Sequence, residues 1–231
     1  MATAVVTGAR SGIGKAIALR LIELDFDVIG ISRNIMEEAI LSDRFSVIQA
    51  DLSDFDATMQ VCDTLRLEYD DISVLINAAG FGRFEPHETL RPEVIAEMVN
   101  VNLTAPMLLS NALLRQLKNN NGTIINITSI EAVRSSKFAA LYSATKAGLR
   151  AFGSSLFEEV RKSNLKVVTI NPDMTDTAFF DTLRFAPSED IESRLESNDI
   201  ADAIEQILMM RQGVAVTEYT IRPQRFGIVK K

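Results

Sequence analysis

Thr3-Ala4-Val5-Val6-Thr7-Gly8-Ala9-Arg10-Ser11-Gly12-Ile13-Gly14 is the stretch that decides the fold. Residues 2–7 are a short β-rich run. Gly8, Gly12 and Gly14 mark a turn, and Ala16, Ile17, Leu19, Leu21, Ile22 and Leu24 then supply the apolar face of a helix. The order is strand, glycine turn, helix. Glycine lets the backbone turn tightly and approach a phosphate, and a helix N-terminus offers free N–H groups and the positive end of its dipole. The spacing Gly-x-x-x-Gly-x-Gly differs from the Gly-x-Gly-x-x-Gly dinucleotide fingerprint, so alone it also suits a glycine-rich surface turn. Its place at the first strand–helix junction favours the phosphate reading.

Working outward, 27–31 is a second strand that ends at Ser32-Arg33-Asn34. In a dinucleotide site the residue about 20 positions past the glycines selects the cofactor, an acid favouring NAD and an arginine pairing a 2′-phosphate. That position holds Arg33, beside Ser32, with no acid until Glu37. Arg10 and Ser11 lie in the glycine loop, and the Arg10 fork suits the same phosphate. The alternative is that both arginines are solvated loop charges. Helical residues are expected as far as about Leu41. A third strand, 45–50, leads to Asp51-Leu52-Ser53, where Asp51 is placed to accept from an adenine amino group while Ser53 or Asp54 caps the next helix. A fourth strand, 72–76, ends in Asn77-Ala78-Ala79-Gly80, small residues suited to a close approach.

A helix is expected over about 92–119. It contains Asn100 and Asn102, residues that compete with a helical backbone for hydrogen bonds and call for a reason; local bending or an interface is the plain one. Strand five, 123–128, delivers Ser129 to the carboxyl end of the sheet, where open α/β folds place ligands. Tyr142 and Lys146, four apart on a helix over 139–163, share a face. A hydroxyl, a phenol and an ammonium gathered there make a proton-transfer site. Strand six, 165–170, is followed by 171–177 at the same end of the sheet. The segment 178–195 reads as a mobile lid carrying Phe179, Phe180 and Phe185. A helix over 198–211, capped by Asn198 or Asp199, and a strand over 214–221 complete the chain. The alternation implies one α/β domain over 1–231, doubly wound and Rossmann-type, with a seven-stranded, mainly parallel sheet flanked by helices on both faces.

The totals narrow the function. Against 24 basic residues stand 31 acidic ones, a net charge of −7, which gives no general attraction to nucleic acid or an anionic membrane. The single cysteine, Cys62, excludes an internal disulfide and a cysteine-based metal cage; the single histidine, His87, argues against a histidine metal site, so no metal is expected. His87 reads as an exposed loop residue. No apolar run reaches the roughly 18 residues of a membrane span. The start has no basic region before its glycines, so a cytoplasmic location is expected.

The chain resembles the short-chain dehydrogenase/reductase family along essentially its whole length. The motifs are Thr7-Gly8-x-x-x-Gly12-x-Gly14, Asp51-Leu52, Asn77-Ala78-Ala79-Gly80, Asn102, Ser129, Tyr142-x-x-x-Lys146 and Pro172 through Thr177. The resemblance implies an NADP(H)-dependent oxidoreductase of EC 1.1.1 type interconverting a small carbonyl compound and an alcohol. Tyr142 would be the general acid/base. Lys146 would hold the nicotinamide ribose and depress the tyrosine pKa. Ser129 would polarise the carbonyl, and Asn102 would hold a water linking Lys146 to solvent. Gly8, Gly12, Ile13 and Gly14 would border the pyrophosphate, Asp51 and Leu52 the adenine, Asn77, Ala79 and Gly80 the adenosine and ribose side, and Pro172, Thr175 and Thr177 the carboxamide. Two positions depart from the family pattern. Ala78 replaces a second asparagine, with little expected effect. Asp173 replaces a glycine; it either touches substrate or points to solvent, and solvent is the favoured expectation. The phenylalanines of the lid point to an apolar or aromatic ketone or aldehyde, or are simple packing. A 3-oxoacyl thioester reductase is the alternative enzyme, and a non-catalytic NADP(H) sensor the alternative class. A homodimer or homotetramer is expected, by analogy with relatives.

Overall fold

The computed structural model describes residues 2–34, 40 and 42–231. Residues 35–39 and 41, Glu37 among them, lie outside the described residues, and with them most of the helix expected as far as Leu41. Seven strands form one parallel sheet: β1 (Thr3–Thr7), β2 (Asp27–Ser32), β3 (Phe45–Gln49), β4 (Ile72–Asn77), β5 (Thr123–Ile127), β6 (Lys166–Pro172) and β8 (Glu218–Ile221), in the order β3-β2-β1-β4-β5-β6-β8. β1, β4, β5 and β6 are Val- and Ile-rich and almost wholly buried, as strands covered on both faces must be.

Helices α1 (Gly12–Glu23) and α6 (Ser197–Leu208) cover one face, where Ile17, Leu21, Ile200 and Ile204 meet Val6, Ile76 and Val168. Helices α2 (Phe55–Glu68), α4 (Ala105–Asn119) and α5 (Ala140–Val160) cover the other through Leu65, Leu109, Leu113 and Val160. This is the doubly wound, Rossmann-like sheet expected. The strand order reverses between β1 and β4, which opens the crevice where such sheets bind ligands.

Several local expectations change. The helix expected over 92–119 is α3 (Pro92–Val99), a π-turn over Asn100–Thr104, and then α4. Widened π-turns occur mostly as insertions at functional sites, and this one turns Asn102 fully inward. Helix α6 is capped by Glu196 rather than Asn198 or Asp199; Asp199 is its capping-box partner, accepting from the Glu196 N–H at 2.8 Å. The segment 178–195 is shaped by a feature the sequence did not announce: β7 (Phe185–Pro187) pairs antiparallel with β9 (Ile228–Lys230) at the C-terminus. Among the described residues, no helix is long and apolar enough to cross a membrane.

Candidate active site

The glycine turn leaves β1 with Gly8 at φ 72° and Gly12 at φ 53°, left-handed values that favour glycine. A Cβ on Gly14 would lie 2.3 Å from the Gly8 carbonyl oxygen, so α1 and the turn pack backbone to backbone. No side chain caps α1 and no acid sits in its first turn, which leaves its N-terminal N–H groups free for an anion. The hydroxyl of Thr7 accepts from the N–H groups of Ala78 and Ala79, both at 3.0 Å, and fixes the turn after β4 against β1. Between these turns lies a cavity of about 690 Å³ lined by Gly8, Arg10, Ser11, Gly12, Ile13, Gly14, Ser32, Arg33, Asp51, Leu52, Ala79 and Gly80.

With Thr177, thirteen of the residues expected at the cofactor thus share one cavity. Asn77 does not join them. It is buried, and its amide donates to Asn126 Oδ1 at 2.9 Å, so it braces β4 against β5 instead. Asp51 accepts from both the N–H and the hydroxyl of Ser53, while Asp54 caps α2 through Ala57 N–H at 2.9 Å. Arg33 is exposed and lies 3.7 Å from the Glu97 carboxylate. Pro172 and Thr175 line the adjoining cavity, and Thr177 borders both.

That second cavity, about 920 Å³, lies over Ser129 and Tyr142. Its apolar wall is an aromatic cluster. The ring of Phe84 lies 5.2 Å from Tyr142 and 5.2 Å from Phe185, and Phe179 lies 5.8 Å from Tyr142. Burial pushes the Tyr142 phenol up to about 12, Ser129 opposing the rise through a hydrogen bond and Glu131 adding to it. Burial also pulls Lys146 down to about 8; its ammonium donates to the Ile127 carbonyl at 2.9 Å. The expected depression of the tyrosine by Lys146 is therefore not what governs the free protein; loss of water dominates both groups.

Asn102 donates to Phe81 O at 2.9 Å and Thr145 Oγ1 at 3.1 Å, and accepts from Phe81 N–H at 3.1 Å. A Cβ on Gly80 would meet Lys146 Nζ at 3.1 Å and Asn102 Oδ1 at 3.2 Å. The small residue lets both polar atoms converge on one place.

Two carboxylates line the second cavity: Glu131, to which the sequence reading gave no role, and Asp173, for which it favoured solvent over substrate. Glu131, two residues past Ser129, is buried and accepts from Arg134 Nε at 2.9 Å and Ser136 Oγ at 2.8 Å. Asp173 does not point to solvent. Its side chain is 1% exposed, accepting from Arg222 Nε at 2.9 Å and lying 3.7 Å from Arg134 Nη2. A buried carboxylate needs such partners, and a guanidinium supplies them. The Glu131–Arg134 spacing of three was readable in the sequence; the pairing of Asp173 with Arg222, 49 residues on, was not.

The family is confirmed by comparison. Residues 2–187 match the family model described as short chain dehydrogenase, and the chain belongs to that family. An uncharacterized oxidoreductase of Staphylococcus aureus (strain N315) is 31% identical over 226 residues, covering 95% of this chain and 96% of that one. An alcohol dehydrogenase of the archaeon Thermococcus sibiricus, solved in complex with 5-hydroxy-NADP, superposes with a TM-score of 0.87 at 26% identity, covering 98% of this chain and 99% of that one. A 4-hydroxyisoleucine dehydrogenase complexed with NADH and succinate superposes with a TM-score of 0.83 at 26% identity over 95% and 97% of the two chains. The protein is an oxidoreductase of the short-chain dehydrogenase family, and its structural neighbours include holders of both nicotinamide cofactors.

Proposed function

We propose that the protein is a cytoplasmic, NADP(H)-dependent reductase that converts small apolar or aromatic ketones or aldehydes to alcohols. The observation that carries this reading is the meeting of Ser129 and Tyr142 on the wall of an aromatic pocket that adjoins the glycine-turn cavity, with Lys146 Nζ behind them, 5.9 Å from the centre of the Tyr142 ring. The residues around that turn fit a dinucleotide: uncapped helical N–H groups for a pyrophosphate, and Arg10 and Arg33 for a 2′-phosphate. Bound NADPH supplies the hydride.

The chain supplies orientation and the proton. Ser129 donates to the carbonyl oxygen and holds it toward Tyr142. Tyr142, whose phenol keeps its proton to about 12, gives that proton to the oxygen as negative charge develops there. Lys146 holds the ribose side, and a water between Lys146 Nζ and Asn102 Oδ1 would return protons from solvent. Pro172, Thr175 and Thr177 border the carboxamide. The aromatic wall takes the apolar part of the substrate and excludes water. The reading treats 1–231 as one domain, 178–195 as its lid, and a homodimer or homotetramer as the working form.

The test is NADPH oxidation over a panel of ketones and aldehydes, with NADH as control. Tyr142→Phe lowers kcat about 10²–10⁴-fold while NADPH still binds; unchanged turnover in that variant refutes the mechanism. Arg33→Ala raises the KM for NADPH and leaves that for NADH nearly constant; equal effects on both refute the cofactor preference.

A further inference from the structure

We propose that the substrate bears an oxyanion, a carboxylate or a phosphate, held at the mouth of the pocket by Lys137, Arg184 and Lys230. This rests on the reductase reading and names the substrate class of the same site.

The polar groups inside the pocket are already matched. Glu131 is paired with Arg134 and Asp173 with Arg222, so these four charges cancel. The mouth is different. Lys137, Arg184 and Lys230 line it, all exposed, and none has a carboxylate within 4.0 Å among the described residues. Among the described residues that line the pocket, Glu85 is the one acid not already paired. Three cations against one carboxylate stand out in a chain whose net charge is −7.

The fold gathers these cations. In the antiparallel ribbon Lys230 stands opposite Phe185, and opposed residues project from the same face. Phe185 packs edge-on against Phe84 in the aromatic wall, so Lys230 emerges on the pocket side. Arg184 directly precedes the strand, and its carbonyl accepts from the Lys231 N–H at 2.9 Å. Lys137, the third cation, lies 4.8 Å over the ring of Phe138. Phe138 has φ 64°, a conformation a bulky residue avoids, so this lip is held in shape at a cost. An apolar throat ringed by cations suits a compound whose aromatic or aliphatic body enters while its anion stays at the rim. A neutral ketone gains nothing from the ring of charge, whereas an anion gains both capture rate and affinity.

The test uses matched substrates with NADPH: 4-acetylbenzoate against its methyl ester, and 4-acetylphenyl phosphate against 4-methoxyacetophenone. The anionic member of at least one pair is expected to have about a tenfold higher kcat/KM at low salt, the ratio shrinking toward one at about 0.5 M NaCl. The pair that shows it tells carboxylate from phosphate. The Arg184→Gln/Lys230→Gln double variant should cut the ratio several-fold, and Lys137→Gln should cut it further. Calorimetric titration of the NADPH-loaded protein with benzoate, phenyl phosphate and methyl benzoate gives a readout without turnover. Equal turnover of charged and neutral members, or a ratio that ignores both salt and the variants, overturns the oxyanion site and leaves the reductase reading standing. Binding of the anions without turnover of any carbonyl overturns the reductase reading, and the substrate claim with it.

Discussion

Replacing Thr7 by valine removes one hydroxyl and almost no volume, and the structure says what that hydroxyl does. Thr7 is 2% exposed. Its oxygen donates to Ile76 O at 3.3 Å and accepts from Ala78 N–H and Ala79 N–H at 3.0 Å each. Valine fills the same space, so no cavity term enters. Two amides are left without their acceptor. An unsatisfied buried amide costs about 1–3 kcal/mol, and these two are half-buried, so the lower end applies to each and the total is about 2 kcal/mol. For a chain of this length that corresponds to roughly 4–8 °C in Tm. The turn cannot easily shift to find new partners, because Ala79 Cα would lie 3.0 Å from a Cβ on Gly8. Urea unfolding followed by circular dichroism should show a lower midpoint at constant m, and NADPH affinity should fall because Ala79 and Gly80 line the cavity proposed for it. A variant within about 0.5 kcal/mol of wild type would refute the claim that this hydroxyl holds the turn.

Gly14→Ala places a methyl 2.3 Å from the Gly8 carbonyl oxygen and should cost about 3 kcal/mol or more, or prevent soluble expression; a thermal melt checks it. Glu131→Gln removes a negative charge that raises the Tyr142 pKa, so the alkaline rise in alcohol oxidation should move to lower pH, read from a pH–rate profile. Lys146→Met tests the linkage between burial and protonation. Its pKa of about 8 in the folded protein lies below the ordinary lysine value of 10.5, so from pH 8 to pH 10 the unfolded chain holds a proton that the folded one has lost. Wild type should therefore gain stability relative to the variant over that window, toward a limit on the order of 3 kcal/mol, measured by denaturation at the two pH values.

How much of this was legible depends on how far apart the partners lie in sequence. The glycine turn, Ser129 and the Tyr142–Lys146 pair are local signals, and each falls on the strand end or helix face its spacing predicts. Buried strands of Val and Ile between turn residues made the sheet readable too. The π-turn was not readable, because hydrophobic periodicity blurs over five residues; the two asparagines hinted only that something was unusual there. Asn77 misled because a strand-end amide can face ligand or neighbour equally well, and only the register of β4 on β5 sets Asn126 beside it. Asp173 misled for a similar reason. Nothing near it in sequence can neutralise a buried carboxylate, and its partner arrives from beyond β8.

The two titratable groups at the centre of the site move for one reason. Burial makes the charged form of each expensive, so the phenol keeps its proton to about 12 and the ammonium gives up its own near 8. Lys146 Nζ lies 5.9 Å from the centre of the Tyr142 ring and is already engaged by the Ile127 carbonyl, which limits how far it can favour a phenolate. Glu131 pushes the same way as burial. Forming the phenolate at pH 7 would then cost about 7 kcal/mol, and both directions meet that cost, because the phenolate is the base that alcohol oxidation starts from and the group that carbonyl reduction leaves behind. The free site thus holds its phenol protonated near neutral pH. Any condition that lets it work as a base near neutral pH must bring donors or positive charge to the phenol oxygen, and Ser129 and Lys146 are the groups best placed to do so.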